Sequence, residues 1–194
     1  EDAEVKILGT GPGGQDITLN DMTDDLGTYL FASGVVPVGS DFTITPLKDD
    51  NPLNGVSTFD LVQINKHILG IKPLNSPYKM IAADANHSNS ITTFDVVEIR
   101  KLILGIYSKF PNNTSWRFVN KDFVFPDPTN PFTTPFPETV QIIDMQFGLS
   151  DEFVSIKTGD VNNTAIANAF ATVDDRSAGT LTFDLEDRQV SAGE

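Results

Sequence analysis

NGVSTFDLVQINKHILGI, from Asn54 to Ile71, is written a second time as NSITTFDVVEIRKLILGI, from Asn89 to Ile106, with eleven of eighteen positions identical at an offset of thirty-five residues. A repeat of that period indicates a duplicated loop-and-helix unit. Acidic, amide and hydroxyl residues lead into each copy. DANHSNSITTFD places Asp84, Asn86 and Ser88 at loop positions 1, 3 and 5, the Ser90 carbonyl at 7, Thr92 at 9 and Asp95 at 12. Oxygen donors at those positions suit Ca2+, which takes several oxygen ligands in a flexible shell. Position 6, where glycine is usual, is Asn89, and asparagine tolerates positive φ. An Asn/Ser-rich turn ahead of a helix is the competing reading. The first copy, DDNPLNGVSTFD, offers Asp49, Asn51, the Gly55 carbonyl, Ser57 and Asp60. Its position 5 is Leu53, which has no side-chain oxygen and leaves that place to water or Asp50.

Helix signals frame both copies. Ser57-x-x-Asp60 and Thr92-x-x-Asp95 read as capping boxes with Asp in place of Glu, a role for these side chains that needs no metal and is compatible with one. Leu61, Ile64, Ile68 and Leu69, and then Val96, Ile99, Ile103 and Leu104, recur at helical spacing and predict one shared core stripe. Gly70 and Gly105 are expected as C′ residues. Between the copies, Ser76-Pro77 marks the N-cap and first position of a short helix reaching Ala82.

The duplicated loop, the F-D-x-V-x-I-x-K helix and the closing I-L-G-I resemble a type I dockerin, a calcium-dependent module that docks onto cohesin domains in cellulosomes and other bacterial surface assemblies. The resemblance covers about a third of the chain, roughly residues 48–107. It implies a pseudo-twofold helical pair with two EF-hand-like calcium loops, and cohesin as a possible partner. Loop positions 10 and 11, which help to read the cohesin in such modules, are Thr58-Phe59 and Thr93-Phe94 here, not the cellulosomal hydroxyl pair. Phe59 and Phe94 are accordingly expected to be buried against a flanking domain.

The flanks read as β structure. Val5-x-Ile7, Ile17-x-Leu19, Tyr29-x-Phe31 and Phe42-x-Ile44 alternate between turn-rich stretches. The run from Thr23 to Pro46 is similar to the B-type repeats of collagen-binding adhesins and to carboxypeptidase regulatory-like domains, which implies an Ig-like or prealbumin-like sandwich. Four strands are too few for an independent core. Further strands are expected at Trp116-x-Phe118, Phe123-x-Phe125, Val140-x-Ile142 and Phe153-x-x-Ile156, around a proline-rich connection that cannot lie inside a sheet. The expected fold is therefore α+β: a β-sandwich in two halves, 1–47 and 108–173, a dockerin-like calcium-binding insertion over 48–107, and a linker with a C-terminal strand over 174–194.

The 194 residues carry a net charge of −14 and no cysteine. That charge disfavours nucleic acid and anionic membranes and favours cations. With no disulfide available, calcium is the alternative cross-link in an oxidising, extracellular or cell-surface setting. No apolar run approaches a membrane span, and EDAEVK at the start does not read as a signal peptide, so the chain is taken as a mature or excised piece.

Other runs carry weaker signals. IKTGDVNNT offers Asp160, Asn162 and Thr164 at positions 1, 3 and 5 of a further loop, but Ala171 stands at position 12 and an Asx turn competes. GTGPGG lacks the lysine of a phosphate loop. His67 and His87 have no companion that would make a catalytic set. The paired acids Asp24-Asp25 and Asp174-Asp175 read as solvated turns, so no enzyme is expected. The functional expectation is a calcium-stiffened structural module of a secreted or surface bacterial protein, an adhesin or fibre subunit. A cohesin-binding dockerin is the alternative. The strand-like GTLTFDLEDRQV near the end would complete its own sandwich, start a further domain, or be donated to a neighbouring molecule; donation is the hypothesis taken here and would link subunits head to tail into a filament.

Overall fold

The computed structural model describes residues 2–32, 34–146 and 150–166. Among them the chain is α+β, with three helices and two antiparallel sheets. β1 (Glu4–Thr10), β2 (Asp16–Met22) and β3 (Asp41–Leu47) form the first sheet, with β1 central. α1 (Thr58–Ile68), α2 (Pro77–Ala83) and α3 (Thr93–Ile103) follow. β4 (Trp116–Asn120), β5 (Val140–Ile142) and β6 (Phe153–Lys157) come after the helices. The chain leaves the first sheet at Leu47 and returns to it at β5, which pairs with β3 through Phe42↔Ile142 and Ile44↔Val140.

Period-two alternation turns Val5, Ile7, Ile17, Phe42 and Ile44 to one face of that sheet, where Val36 and the partly buried Tyr29 and Phe31 cover them. The Tyr29–Phe31 stretch, expected as a strand, is instead an irregular cover. The Asp24 carboxylate accepts the N–H groups of Leu26 and Thr28, and Asp21 accepts that of Leu30, so side chains take donors that a ladder would need. Tyr29 is held by its hydroxyl donating to Asp151 O at 2.9 Å. Phe123–Phe125 likewise forms no strand; its rings stack edge to face at 5.1 Å against the helical core.

β4 and β6 pair with each other rather than joining the first sheet. Their ribbon is a shared wall. Val119, Val154 and Ile156 face the helices, while Trp116 and Phe118 face Ala3 and Phe153 on the other side. On the helical side the largest core centres on Ile64, Ile81 and Ile99, all fully buried.

The helices begin and end as their sequences dictate. Both capping boxes are formed, with Asp60 and Asp95 reaching back to the Ser57 and Thr92 N–H groups. Gly70 N–H donates to His67 O and Ile71 N–H to Lys66 O, and Gly105 and Ile106 repeat this on Leu102 and Lys101, so each helix closes in a Schellman motif. The core stripe differs from the expectation at its C-terminal end. Leu69 and Leu104 are exposed and Leu102 is buried, because the Schellman turn swings each capping leucine out of the stripe. His67, at the place of Leu102, accepts the Leu74 N–H on its Nδ1 and anchors the turn toward α2.

Candidate metal centre

The loop between α2 and α3 is built around Asp84 and Asp95, both fully shut from solvent. Asp84 Oδ1 accepts the Ser88 N–H at 2.8 Å and Oδ2 accepts the Asn89 N–H at 2.9 Å. Asp95 Oδ2 accepts the Thr92 N–H at 2.8 Å, and its Oδ1 accepts the Asn86 N–H at 3.2 Å. Ser88 Oγ lies 3.3 Å from the Ser90 carbonyl. The chain bends through positive φ at His87 and Asn89, both 59°, the second where a calcium loop commonly has glycine. All six predicted residues, Asp84, Asn86, Ser88, Ser90, Thr92 and Asp95, therefore belong to one compact turn. Asn113 Nδ2 donates to Asp84 O and ties it to the segment entering β4.

Two carboxylates buried together carry like charges at close range. Burial, opposed by hydrogen bonds and assisted by the charge of Asp84, raises the Asp95 pKa above its ordinary value. No lysine, arginine or histidine of the described residues forms an ion pair with either acid. Among the described residues no group of three or more His, Cys, Asp or Glu side chains is placed to hold a metal. The turn instead gathers two carboxylates with amide, hydroxyl and carbonyl oxygens. Such an all-oxygen set fits a hard divalent cation of calcium's kind and offers nothing to softer metals.

The first repeat is assembled differently. Asp49 is drawn away from the helix: its Oδ1 accepts the Ser115 N–H at 2.7 Å and its Oδ2 lies 3.8 Å from Lys109 Nζ. Asn51 is exposed in a turn of positive φ, its amide donating to Asp50. Gly55, Ser57 and Asp60 stay together at the start of α1, but their partner in space is the Asp160 turn. Asp60 Oδ1 accepts the N–H groups of Val161 at 3.0 Å and Asn162 at 3.2 Å. Thr164 Oγ1 donates to the Gly55 carbonyl at 3.0 Å, and Asn54 brackets Ile166 by two hydrogen bonds. Burial first, then the Asp160 charge, raises the Asp60 pKa, as at Asp95. The signal for this partnership was the Asp-x-Asn-x-Ser/Thr spelling shared by 84–88 and 160–164; Ala171 at position 12 obscured it.

Phe59 and Phe94 are not buried against any of the described residues. They are 60 % and 72 % exposed, and Val62, Leu69, Ile71 and their repeat mates Val97, Leu104 and Ile106 are exposed as well. No family model matches the chain, and neither a curated protein nor a solved structure does.

Proposed function

We propose that this chain is a calcium-binding structural module of a secreted or cell-surface bacterial protein, an adhesin or fibre subunit, in which a dockerin-like helical pair is inserted between the halves of an Ig-like or prealbumin-like sandwich. The observation that carries the reading is the pair Asp84 and Asp95, buried with like charge and no cationic partner among the described residues. A buried carboxylate pair is costly unless a proton or a cation neutralises it. Calcium does so while using the amide, hydroxyl and carbonyl oxygens that the turn presents. The ion then stabilises the fold by mass action, at about 2.7 kcal/mol when its concentration is a hundred times its dissociation constant. Melting the protein with calcium and with chelator tests this. Calcium should raise the melting temperature, and Asp84→Ala and Asp95→Ala should each remove most of the increase; an unchanged response in both variants would sink the reading.

One observation favours a second reading, a cohesin-binding dockerin. The exposed apolar residues of α1 and α3 come in repeat-related pairs, Phe59 with Phe94 and Val62 with Val97, which suits a partner that grips a pseudo-twofold face. Phe59→Ser with Phe94→Ser should then stop complex formation with a cohesin on a sizing column while the fold is kept. If the parent chain forms no complex with any cohesin tested, this second reading fails.

A further inference from the structure

We propose that Asp160, Asn162 and Thr164, together with Gly55, Ser57 and Asp60, form a second calcium site, split across the chain so that the ion closes residues 158–166 onto the start of α1. This rests on the calcium reading above and relocates the second ion from the 49–60 loop.

The two sites share a set of hydrogen bonds although they share no continuous sequence. Asp160 Oδ1 accepts the Thr164 N–H at 3.2 Å and its Oδ2 accepts the Ala165 N–H at 2.7 Å, as Asp84 does four and five residues on. Asn163 has φ 60°, as His87 has 59°. Asn162 N–H reaches Asp60 Oδ1 at 3.2 Å, as Asn86 N–H reaches Asp95 Oδ1 at the same distance. Ser57 N–H donates to Asp60 Oδ2 at 2.9 Å, as Thr92 does to Asp95. The Thr164 hydroxyl meets the Gly55 carbonyl where the Ser88 hydroxyl meets that of Ser90. A turn that serves hydrogen bonding alone has no need to repeat these bonds from a segment a hundred residues away.

A separate feature points to a ligand. Among the described residues Asn162 Oδ1 is enclosed and takes no hydrogen bond, although the Asn162 N–H is shared between the Asp60 and Asp160 carboxylates. A buried amide oxygen without a donor costs free energy that a cation would remove. Asp60 is fully buried and Asp160 is 3 % exposed. Of the acids around Lys157, Asp160 does most to favour its charge, yet the Lys157 ammonium donates to the carbonyls of Pro52 and Ser115. Gly55 keeps the site open: at φ 74° a Cβ would stand 2.6 Å from Asp160 Oδ2 and 2.4 Å from Ala165 N.

Calcium titration of the metal-free full chain by calorimetry, counting ions per chain, tests the proposal. The parent should bind two. Asp160→Asn and the milder Asn162→Ala should each lose or weaken one ion at least tenfold, Asp84→Asn should lose the other, and Asp49→Asn should keep both. Circular dichroism of each variant confirms that it is folded. A parent that binds a single ion through Asp84, or loss of an ion in Asp49→Asn with none lost in Asp160→Asn and Asn162→Ala, overturns the split site and leaves the calcium reading standing. A chain that binds no ion overturns both.

Discussion

Asp60 and Asp95 each serve two masters, capping a helix and facing a second buried acid. Their Oδ2 atoms close the capping boxes, while their Oδ1 atoms accept N–H groups from Asn162 and Asn86. Burial raises both pKa values, so the metal-free folded chain holds protons that the unfolded chain has released. Stability from these groups is therefore greatest below the ordinary carboxylate pKa and is lost as pH rises through the raised values. On the proposed function calcium would replace those protons, and its affinity is then expected to fall on acidification. The gap in melting temperature between calcium-loaded and metal-free protein should widen as pH rises above the ordinary carboxylate range and the two raised groups ionise. A gap that does not change over that rise in pH would show that protons and calcium do not compete. Lys157 has the opposite sign. Burial lowers its pKa to about 8, so its charge weighs against the fold at neutral pH, and that cost fades as pH rises through 8 toward the ordinary lysine value.

At the scale of the element, α1 and α3 are near copies that divide their apolar residues between two tasks. Ile64 and Ile99 fill the shared core, whereas Phe59, Phe94, Leu69 and Leu104 face outward. The cost of substitution should follow that division. Ile99→Ala removes a fully enclosed side chain and should destabilise the protein by about 2–5 kcal/mol. Leu104→Ser should stay within about 0.5 kcal/mol of the parent, as surface changes do. Urea unfolding of the two variants separates the cases; equal losses would mean that the exposed face is covered in solution. The repeat made both helices, their caps and their glycine stops readable in advance. It did not show that Leu69 and Leu104, which end the apolar stripes, turn outward, because the Schellman turn sets their direction after the helical period has ended.

For the whole molecule, the β4–β6 ribbon joins two cores. Its one face belongs to the helices and its other face to a small cluster with Ala3 and Phe153. Beside the first sheet lies a cleft of about 1060 Å³, lined in part by Val5, Ile7, Tyr29, Phe42, Phe118 and Phe153. No helix of the described residues is long and apolar enough to cross a membrane. Head-to-tail assembly through the strand-like run that carries Leu181, Phe183 and Leu185 is an expectation from the sequence. That run lies outside the described residues. Deleting residues 178–194 should yield folded monomers by light scattering where the intact chain forms filaments; filaments that survive the deletion, or an intact chain that stays monomeric at high concentration, would remove strand donation from the account.

Whatever depends on neighbours along the chain was legible in the amino-acid order: the duplicated helices, their capping boxes and C′ glycines, the Asp84–Asp95 turn, and the alternating strands β1 to β3. These rest on hydrogen bonds and periodicities spanning a dozen residues or fewer. Long-range packing set the rest: β4 pairs with β6, Tyr29–Phe31 covers a sheet instead of extending it, and Asp60 faces Asp160 and not Asp49. The reason is physical. A loop of contiguous residues announces its ligands by spacing, whereas Asp60 and Asp160 meet because packing of the β4–β6 ribbon on the helices brings the turn after β6 to the start of α1, and no local spacing records that approach.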